Sequence, residues 1–243
     1  MENKELYIQT LCLEVTRRCN MACPHCLRGD AQGLDMSVEV IDQVFENVAE
    51  IGSVVFTGGE PTLNLEAIRY TLAKCRKQGI PVSSFYLVTN GKEVSVEFLS
   101  LMLDWYVYCF MSTGEGDLSA VTLSKDDFHE PIPEANELLL RGLSFFREDK
   151  FQVSGNNWVI SEGRAKELGL GVREKLPSKL DVNVEAAENK TRITFEDSEV
   201  YISANGDVVD GCDWSFENQT KHRLGCVFEQ NNWIESALRR MEQ

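Results

Sequence analysis

The stretch Glu14-Val15-Thr16-Arg17-Arg18-Cys19-Asn20-Met21-Ala22-Cys23-Pro24-His25-Cys26 sets the terms for the whole chain. It continues a strand-like run, Leu6 to Thr16, and brings three thiols into one short loop with the spacing C-x3-C-x2-C. No fourth cysteine follows nearby. Cubane iron–sulfur clusters and structural zinc sites ordinarily take four protein ligands. Three ligands from one loop leave one metal position open to an outside ligand. A reactive centre needs that opening, and a structural staple avoids it.

Farther along, Ser53-Val54-Val55-Phe56-Thr57-Gly58-Gly59-Glu60-Pro61 reads as a buried strand ending in a paired-glycine turn. Glycines there permit close approach of the backbone to a ligand. Thr89-Asn90-Gly91 ends a third strand in the same manner. Together these motifs resemble the radical S-adenosylmethionine (SAM) enzymes, from about Leu6 to Ser112. The resemblance implies a [4Fe–4S] cluster on Cys19, Cys23 and Cys26, with one iron free for the amino and carboxylate groups of SAM. It implies that Gly58, Gly59 and Glu60 contact the SAM amino group. His25 takes the position where the family usually carries an aromatic residue, near cluster and adenine; the plainer reading is a surface imidazole. The implied reaction is reductive cleavage of SAM to a 5′-deoxyadenosyl radical that abstracts hydrogen from a substrate. An electron donor such as flavodoxin or ferredoxin is implied with it.

Composition bounds the rest. The chain has 243 residues, 43% of them hydrophobic, enough for one large domain or a domain with an appendage. No apolar run approaches a membrane span and no cleavable signal opens the chain. A formal charge of −15 argues against a broad grip on nucleic-acid phosphates, although Arg17-Arg18 is a candidate local basic patch. Eight cysteines clustered like ligands, in a chain this large, point to a reducing cytoplasm rather than to a secreted disulfide framework.

Strands and helices alternate along the chain. Ser37 caps a helix with the stripe Val40, Ile41, Val44, Phe45 and Val48. Strand Ser53–Thr57 follows. Asn64 caps a helix carrying Leu65, Ile68, Leu72 and Cys75, ended by Gly79 with Pro81 beyond. Strand Val82–Thr89, helix Ser95–Trp105 and strand Val107–Ser112 come next. Pro133 to Arg147 reads as a helix with Ala135, Leu138, Leu139, Gly142, Leu143 and Phe146 inward, then a short strand Phe151–Ser154. This alternation predicts an α/β fold with a parallel sheet, and the resemblance implies a partial (β/α)6 barrel. Beyond Lys175 the pattern changes to Leu180–Glu185, Arg192–Phe195 and Val200–Ala204, with Asn205-Gly206 as a hairpin turn and a helix from about Asn232. The expected division is a barrel core, 1–175, and a C-terminal strand, hairpin and helix extension, 176–243, packed on it.

In parallel α/β folds, ligands gather at the carboxyl ends of the strands. Asn90 and Ser112, placed at the ends of the third and fourth strands, are candidates for ribose or carboxylate contacts; turn formation explains Asn90 about as well. Arg164 offers a fork suited to the SAM carboxylate, or is a solvated arginine at a helix start. His129, with Asp126, Asp127 and Glu130 in the loop after the fourth strand, is a candidate to bind substrate or relay a proton; acidic capping before Pro131 is the plainer account. Asn156 and Asn157 face the same space. Cys75 and Cys109 read as core packing. Cys212 and Cys226 resemble the start of the SPASM/twitch-like extensions of maturases, but are too few for a self-contained second cubane unless Cys12, Cys75 or Cys109 joins them. Cys212 is a candidate thiol hydrogen donor, or one of two packed cysteines in a degenerate extension.

Three readings of the substrate end follow: a peptide or protein side chain, a small metabolite or nucleotide, or a non-catalytic binding protein with a zinc-stapled loop. No separate leader-recognition domain precedes the first strand, so the peptide reading calls for a partner protein to supply one.

Overall fold

Alternating core and cavity residues on a few central strands build the molecule. The computed structural model describes residues 3–114, 118–148, 159–174, 180–187, 190–229 and Ile234. The order is β1 (Asn3–Thr16), α1 (Val38–Val44), β2 (Val48–Gly58), α2 (Leu65–Gln78), β3 (Val82–Thr89), α3 (Val96–Thr113), β4 (Ala120–Leu123), α4 (Glu134–Arg141), β5 (Phe146–Arg147), α5 (Gly163–Glu167), β6 (Asp181–Ala187), β7 (Lys190–Ile202), β8 (Asp207–Val209), α6 (Phe216–Gln219) and β9 (Arg223–Cys226). The sheet order is β5-β4-β3-β2-β1-β7-β8-β9, with β6 paired to β7 off this path. Strands β1 to β5 and β7 run parallel, while β6, β8 and β9 pair antiparallel. The result is an unclosed partial barrel. Its sixth parallel strand is β7, set beside β1 at the edge away from β5. There Ile193, Phe195, Val200 and Ile202 enter the main core.

Successive strand residues point to opposite faces. On the helix-covered face, Leu11, Leu13 and Val15 of β1, Val54 and Phe56 of β2, and Phe85 and Leu87 of β3 pack with α1, α2 and α3. On the other face, Cys12, Val55, Tyr86 and Val88 line a cavity. Tyr201, Val209 and Trp214 join Cys12 in a second, smaller cluster on this inner side.

The helix starts follow their capping residues. Ser37 accepts from the Val40 amide, Asn64 from Ala67, and Ser95 from Phe98. Gly79, at φ 67°, ends α2 in the left-handed conformation that glycine adopts freely. Val48 belongs to β2 rather than to the stripe of α1.

Two further sequence expectations are corrected. Residues 107–112 form no strand: α3 continues to Thr113, and β4 is Ala120–Leu123. Tyr106, Val107, Tyr108 and Phe110 have strand-like composition. However, Phe98, Leu101, Met102, Trp105 and Cys109 repeat with helical period and bury one face, so packing overrides local preference. The helix read over Pro133 to Arg147 ends at Arg141. Leu138 and Leu139, expected inward, are 63% and 48% exposed, and Ala135 and Gly142 are exposed too, whereas Leu140 is fully buried. Leu143 and Phe146 pack partly against the core, as expected. The expected strand at 151–154, the asparagines at 156 and 157, the division at 175/176 and the start of the last helix near 232 lie outside the described residues.

Leu140→Ala should cost about 2–5 kcal/mol, while Leu138→Ala should stay within about 0.5 kcal/mol. Urea unfolding of both variants measures this, and the reverse order would contradict the packing of α4.

Candidate active site

The carboxyl ends of β1, β2, β3 and β4 open into one cavity of about 490 Å3. Around its rim stand Cys19, Cys23, His25 and Cys26 from the loop after β1, Gly58, Gly59, Glu60 and Pro61 after β2, Asn90 after β3, and Ser124 and His129 after β4. Its far wall is Arg28, Glu199, Cys212 and Asp213.

The cysteine loop is fixed by direct backbone contact with the glycine turn. The Gly59 amide donates to the Thr16 carbonyl and the Glu60 amide to the Arg18 carbonyl, both at 2.8 Å. A Cβ on Gly58 would collide with the Thr16 carbonyl oxygen, and one on Gly59 with that of Arg18. Gly58 also sits at φ 148°. The glycines therefore admit the cysteine loop itself, in addition to facing the cavity. The Glu60 side chain, only 1% exposed, ties the strand ends together. Oε1 accepts from the Thr62 amide and hydroxyl and from the Thr89 hydroxyl, and Oε2 accepts from the Asn90 amide. Burial raises its pKa, and these donors work against that rise.

A second buried carboxylate ties the loop to the C-terminal strands. Glu14, fully buried, accepts from Arg17 Nε at 2.7 Å, the Tyr201 hydroxyl at 2.6 Å, the Ala204 amide at 3.0 Å and Gln219 Nε2 at 2.6 Å. Arg17 Nη2 in turn donates to Gln219 Oε1 at 2.6 Å. Arg17 is thus 8% exposed and ion-paired, and Arg18 pairs with Asp35, so Arg17-Arg18 forms no free basic patch. Farther round the loop, the Arg164 amide donates to the Cys26 carbonyl and Arg164 Nε to the Cys23 carbonyl, each at 3.0 Å. Arg164 Nη1 pairs with Asp30. The Phe216 amide donates to the Arg28 carbonyl at 3.1 Å.

Cys19, Cys23 and Cys26 are free thiols. Burial, followed by the neighbouring cysteines, pushes Cys23 up to about 11, and burial raises Cys19 as well. A bound cation would reverse this trend and release the protons. Among the described residues, the one set of three His, Cys, Asp or Glu ligand atoms lying within 4.8 Å of one another is His25, Asp126 and His129. Cys19, Cys23 and Cys26 all face the cavity, and three soft thiol donors from one loop suit an iron–sulfur cluster. Asn90 Nδ2 faces this set, 3.9 Å from Cys19 Sγ and 2.8 Å from Asn20 Oδ1.

His25 packs on Phe128 and His129 with ring centroids 4.9 and 5.0 Å away. Its Nε2 lies 3.2 Å from Asp126, which also engages His129 Nδ1 at 2.7 Å. Burial lowers the His25 pKa against the pull of Asp126. With Nε2–H directed at Asp126, Nδ1 is a lone-pair acceptor. That nitrogen is buried and has no partner among the described residues.

Most expected site residues meet in the cavity; Ser112 and Arg164 do not, and Asp126, Asp127 and Glu130 lie off its wall beside His129. Ser112 lies near the end of α3, its hydroxyl donating to the Tyr108 carbonyl, and is absent from the cavity wall. Ser124 occupies the strand-end position intended for it. Arg164 also stands outside the wall, its guanidinium engaged by Cys23 and Asp30. Cys212 lines the cavity and packs with the Cys12 cluster, with its thiol raised by burial; Cys226 sits in β9. Sequence reading missed Arg28, Glu14, Tyr201, Glu199 and Gln219. Strand alternation could have placed Glu14 beside Cys12 on the inner face; nothing local announces the others.

Glu14→Ala should cost about 3–5 kcal/mol in urea unfolding, because Arg17 keeps a buried, unpaired charge. Gly59→Ala should cost about 1–3 kcal/mol and lower iron uptake on anaerobic reconstitution. Unchanged stability and iron content would contradict the packing described.

A search of curated protein sequences returned no match. Among solved structures the chain is similar to native anSMEcpe with bound AdoMet, at 16% identity and TM-score 0.59, covering 95% of this chain and 80% of that one. It is likewise similar to native anSMEcpe with bound AdoMet and Cp18Cys peptide, at 15% identity and TM-score 0.53, covering 96% and 80%. These likenesses concern the fold. The family model for the Radical SAM superfamily, whose enzymes use a [4Fe–4S] cluster and SAM, matches residues 13–137, just over half of the sequence. The chain belongs to the radical SAM superfamily.

Proposed function

We propose that the protein is a radical SAM enzyme whose cluster is held by Cys19, Cys23 and Cys26 and whose SAM lies in the cavity beside them. One observation carries this reading: three thiols, a glycine-paired turn and an amide-bearing strand end share one cavity at the carboxyl ends of parallel strands. The bound group supplies one-electron reductive cleavage of SAM and, from it, hydrogen abstraction from a substrate.

The chain's own residues hold and orient. Gly58 and Gly59 present backbone rather than side chain to the cofactor. Glu60 acts indirectly, fixing Asn90 and Thr89 through its carboxylate. Asn90 offers an N–H to the cluster sulfur of Cys19. The buried, unpartnered Nδ1 of His25 suits an N–H donor such as the adenine amino group. Arg164 positions the loop by gripping the Cys23 and Cys26 carbonyls. Val55, Tyr86 and Val88 give an apolar wall that excludes water from a reactive radical. His129, oriented by Asp126, is the polar group placed to meet a substrate proton from the β4 side.

Residues 1–175 form the cofactor-bearing core in this reading, and 176–243 its closure. The substrate is a peptide or protein side chain, a reading supported at the level of fold by the peptide bound to anSMEcpe. The cavity volume equally suits a small metabolite. A low-potential donor such as flavodoxin or ferredoxin supplies the electron. Eight free cysteines suit a reducing cytoplasm, and no helix among the described residues is long and apolar enough to cross a membrane.

Anaerobic incubation of the iron-reconstituted protein with dithionite and SAM should yield 5′-deoxyadenosine and methionine, and Cys23→Ala should abolish both. Product formation by Cys23→Ala, or none by the iron-loaded wild type, would refute the reading. Cys212→Ala should leave the bound iron unchanged; loss of about half would reveal a second cluster.

A further inference from the structure

The far wall of the cavity carries a guanidinium with little to do. Arg28 is two residues past the last loop cysteine and lines both the main cavity and a neighbouring one. Its Nη1 donates to the Trp214 carbonyl at 2.8 Å, and its Cζ lies 5.2 Å from the centroid of the Tyr201 ring. Those are its side-chain contacts among the described residues, out of five N–H donors. The remaining donors are not sealed orphans, because His25 Nδ1 is the one buried side-chain nitrogen or oxygen without a partner among the described residues. They open onto the cavities instead. Two carboxylates influence it: Glu14, already filled by Arg17, Tyr201, Ala204 and Gln219, and Asp213 on the cavity wall.

A permanently charged, half-buried fork that faces a cavity with N–H donors to spare is suited to an anionic group on a ligand. We infer that Arg28 is the substrate-recognition residue and binds a carboxylate of the substrate; this rests on the reading of the cavity as a radical SAM site. Asp213 and Glu199 share the wall and limit the charge it accepts. Asp213 Oδ1 takes the Cys212 thiol at 3.4 Å. A monoanionic carboxylate fits beside these acids better than a phosphate dianion. Pairing at Arg28 would hold the attached carbon between the apolar strand wall and the cysteine rim. The carboxylate source is a small acid or a peptide terminus, and both carry the same recognised group.

The test uses the anaerobic, iron-reconstituted protein with saturating SAM, at constant ionic strength. Acetate, acetyl-glycyl-glycine and inorganic phosphate are titrated separately while the melting temperature is followed, since a ligand of the native state raises it by mass action. Acetate, the dipeptide or both should raise it saturably, and Arg28→Gln should weaken that response at least tenfold while iron content and SAM affinity hold. Tighter response to acetate assigns a small acid, and tighter response to the dipeptide a peptide terminus; either supports the inference. Should Arg28→Gln fail to fold, Arg28→Lys keeps the charge, loses the fork and should weaken binding several-fold. The inference is overturned by no saturable response to either carboxylate, by tighter binding of phosphate, or by equal responses in wild type and variant. Loss of SAM affinity in Arg28→Gln also overturns it, by assigning the residue to the cofactor. Failure to form 5′-deoxyadenosine would strike the cofactor reading alone and leave these titrations interpretable.

Discussion

The contact on which the site depends is backbone against backbone, where the turn after β2 meets the loop after β1. Two amide-to-carbonyl hydrogen bonds, Gly59 to Thr16 and Glu60 to Arg18, lock these segments, and side chains at Gly58 or Gly59 would collide with the carbonyl oxygens. The cysteine loop is irregular, with few internal hydrogen bonds of its own. Its shape comes from what it is pressed against, and two glycines are what allow the pressing. Everything else at the rim reinforces this: Glu60 draws β3 to the same turn, and Arg164 closes the outer side of the loop by its carbonyls.

A second layer of support comes from far along the chain. Glu14 lies on the inner face of β1, yet most of its partners come from residues 201, 204 and 219. Because β7 joins the sheet beside β1, these residues sit next to the strand that feeds the cysteine loop. The C-terminal part thus contributes to the floor and side wall of the cavity. Such an arrangement commits the protein: the buried Glu14–Arg17 pair is tolerable only while its hydrogen bonds are complete, so the loop is well shaped only when the C-terminal strands are docked.

Much of the fold was legible because caps and punctuation act locally. Ser37, Asn64, Ser95 and Gly79 mark helix ends through contacts within a few residues, and strand Val82–Thr89 is an aromatic and β-branched run bounded by Pro81 and Asn90-Gly91. The segment after Trp105 was misread because aromatic and β-branched composition resembles a strand, while the helical period that wins is set by burial against Phe56, Phe85 and Phe145. Moving the fourth strand displaced Ser112 and brought Ser124 into the position meant for it. The cysteine rim, the glycine turn and Asn90 were readable because their spacing is chemical. Arg28, Tyr201 and Gln219 were not, because their significance is created by pairings between residues some two hundred positions apart.

The central claim is that three cysteines hold a cluster with one iron left for SAM. Low-temperature EPR of the reduced, iron-reconstituted protein, recorded before and after adding SAM, tests it most directly. A cubane signal whose line shape changes on addition of SAM is the predicted result. A spectrum indifferent to SAM, or protein that retains zinc in place of iron, would contradict the account.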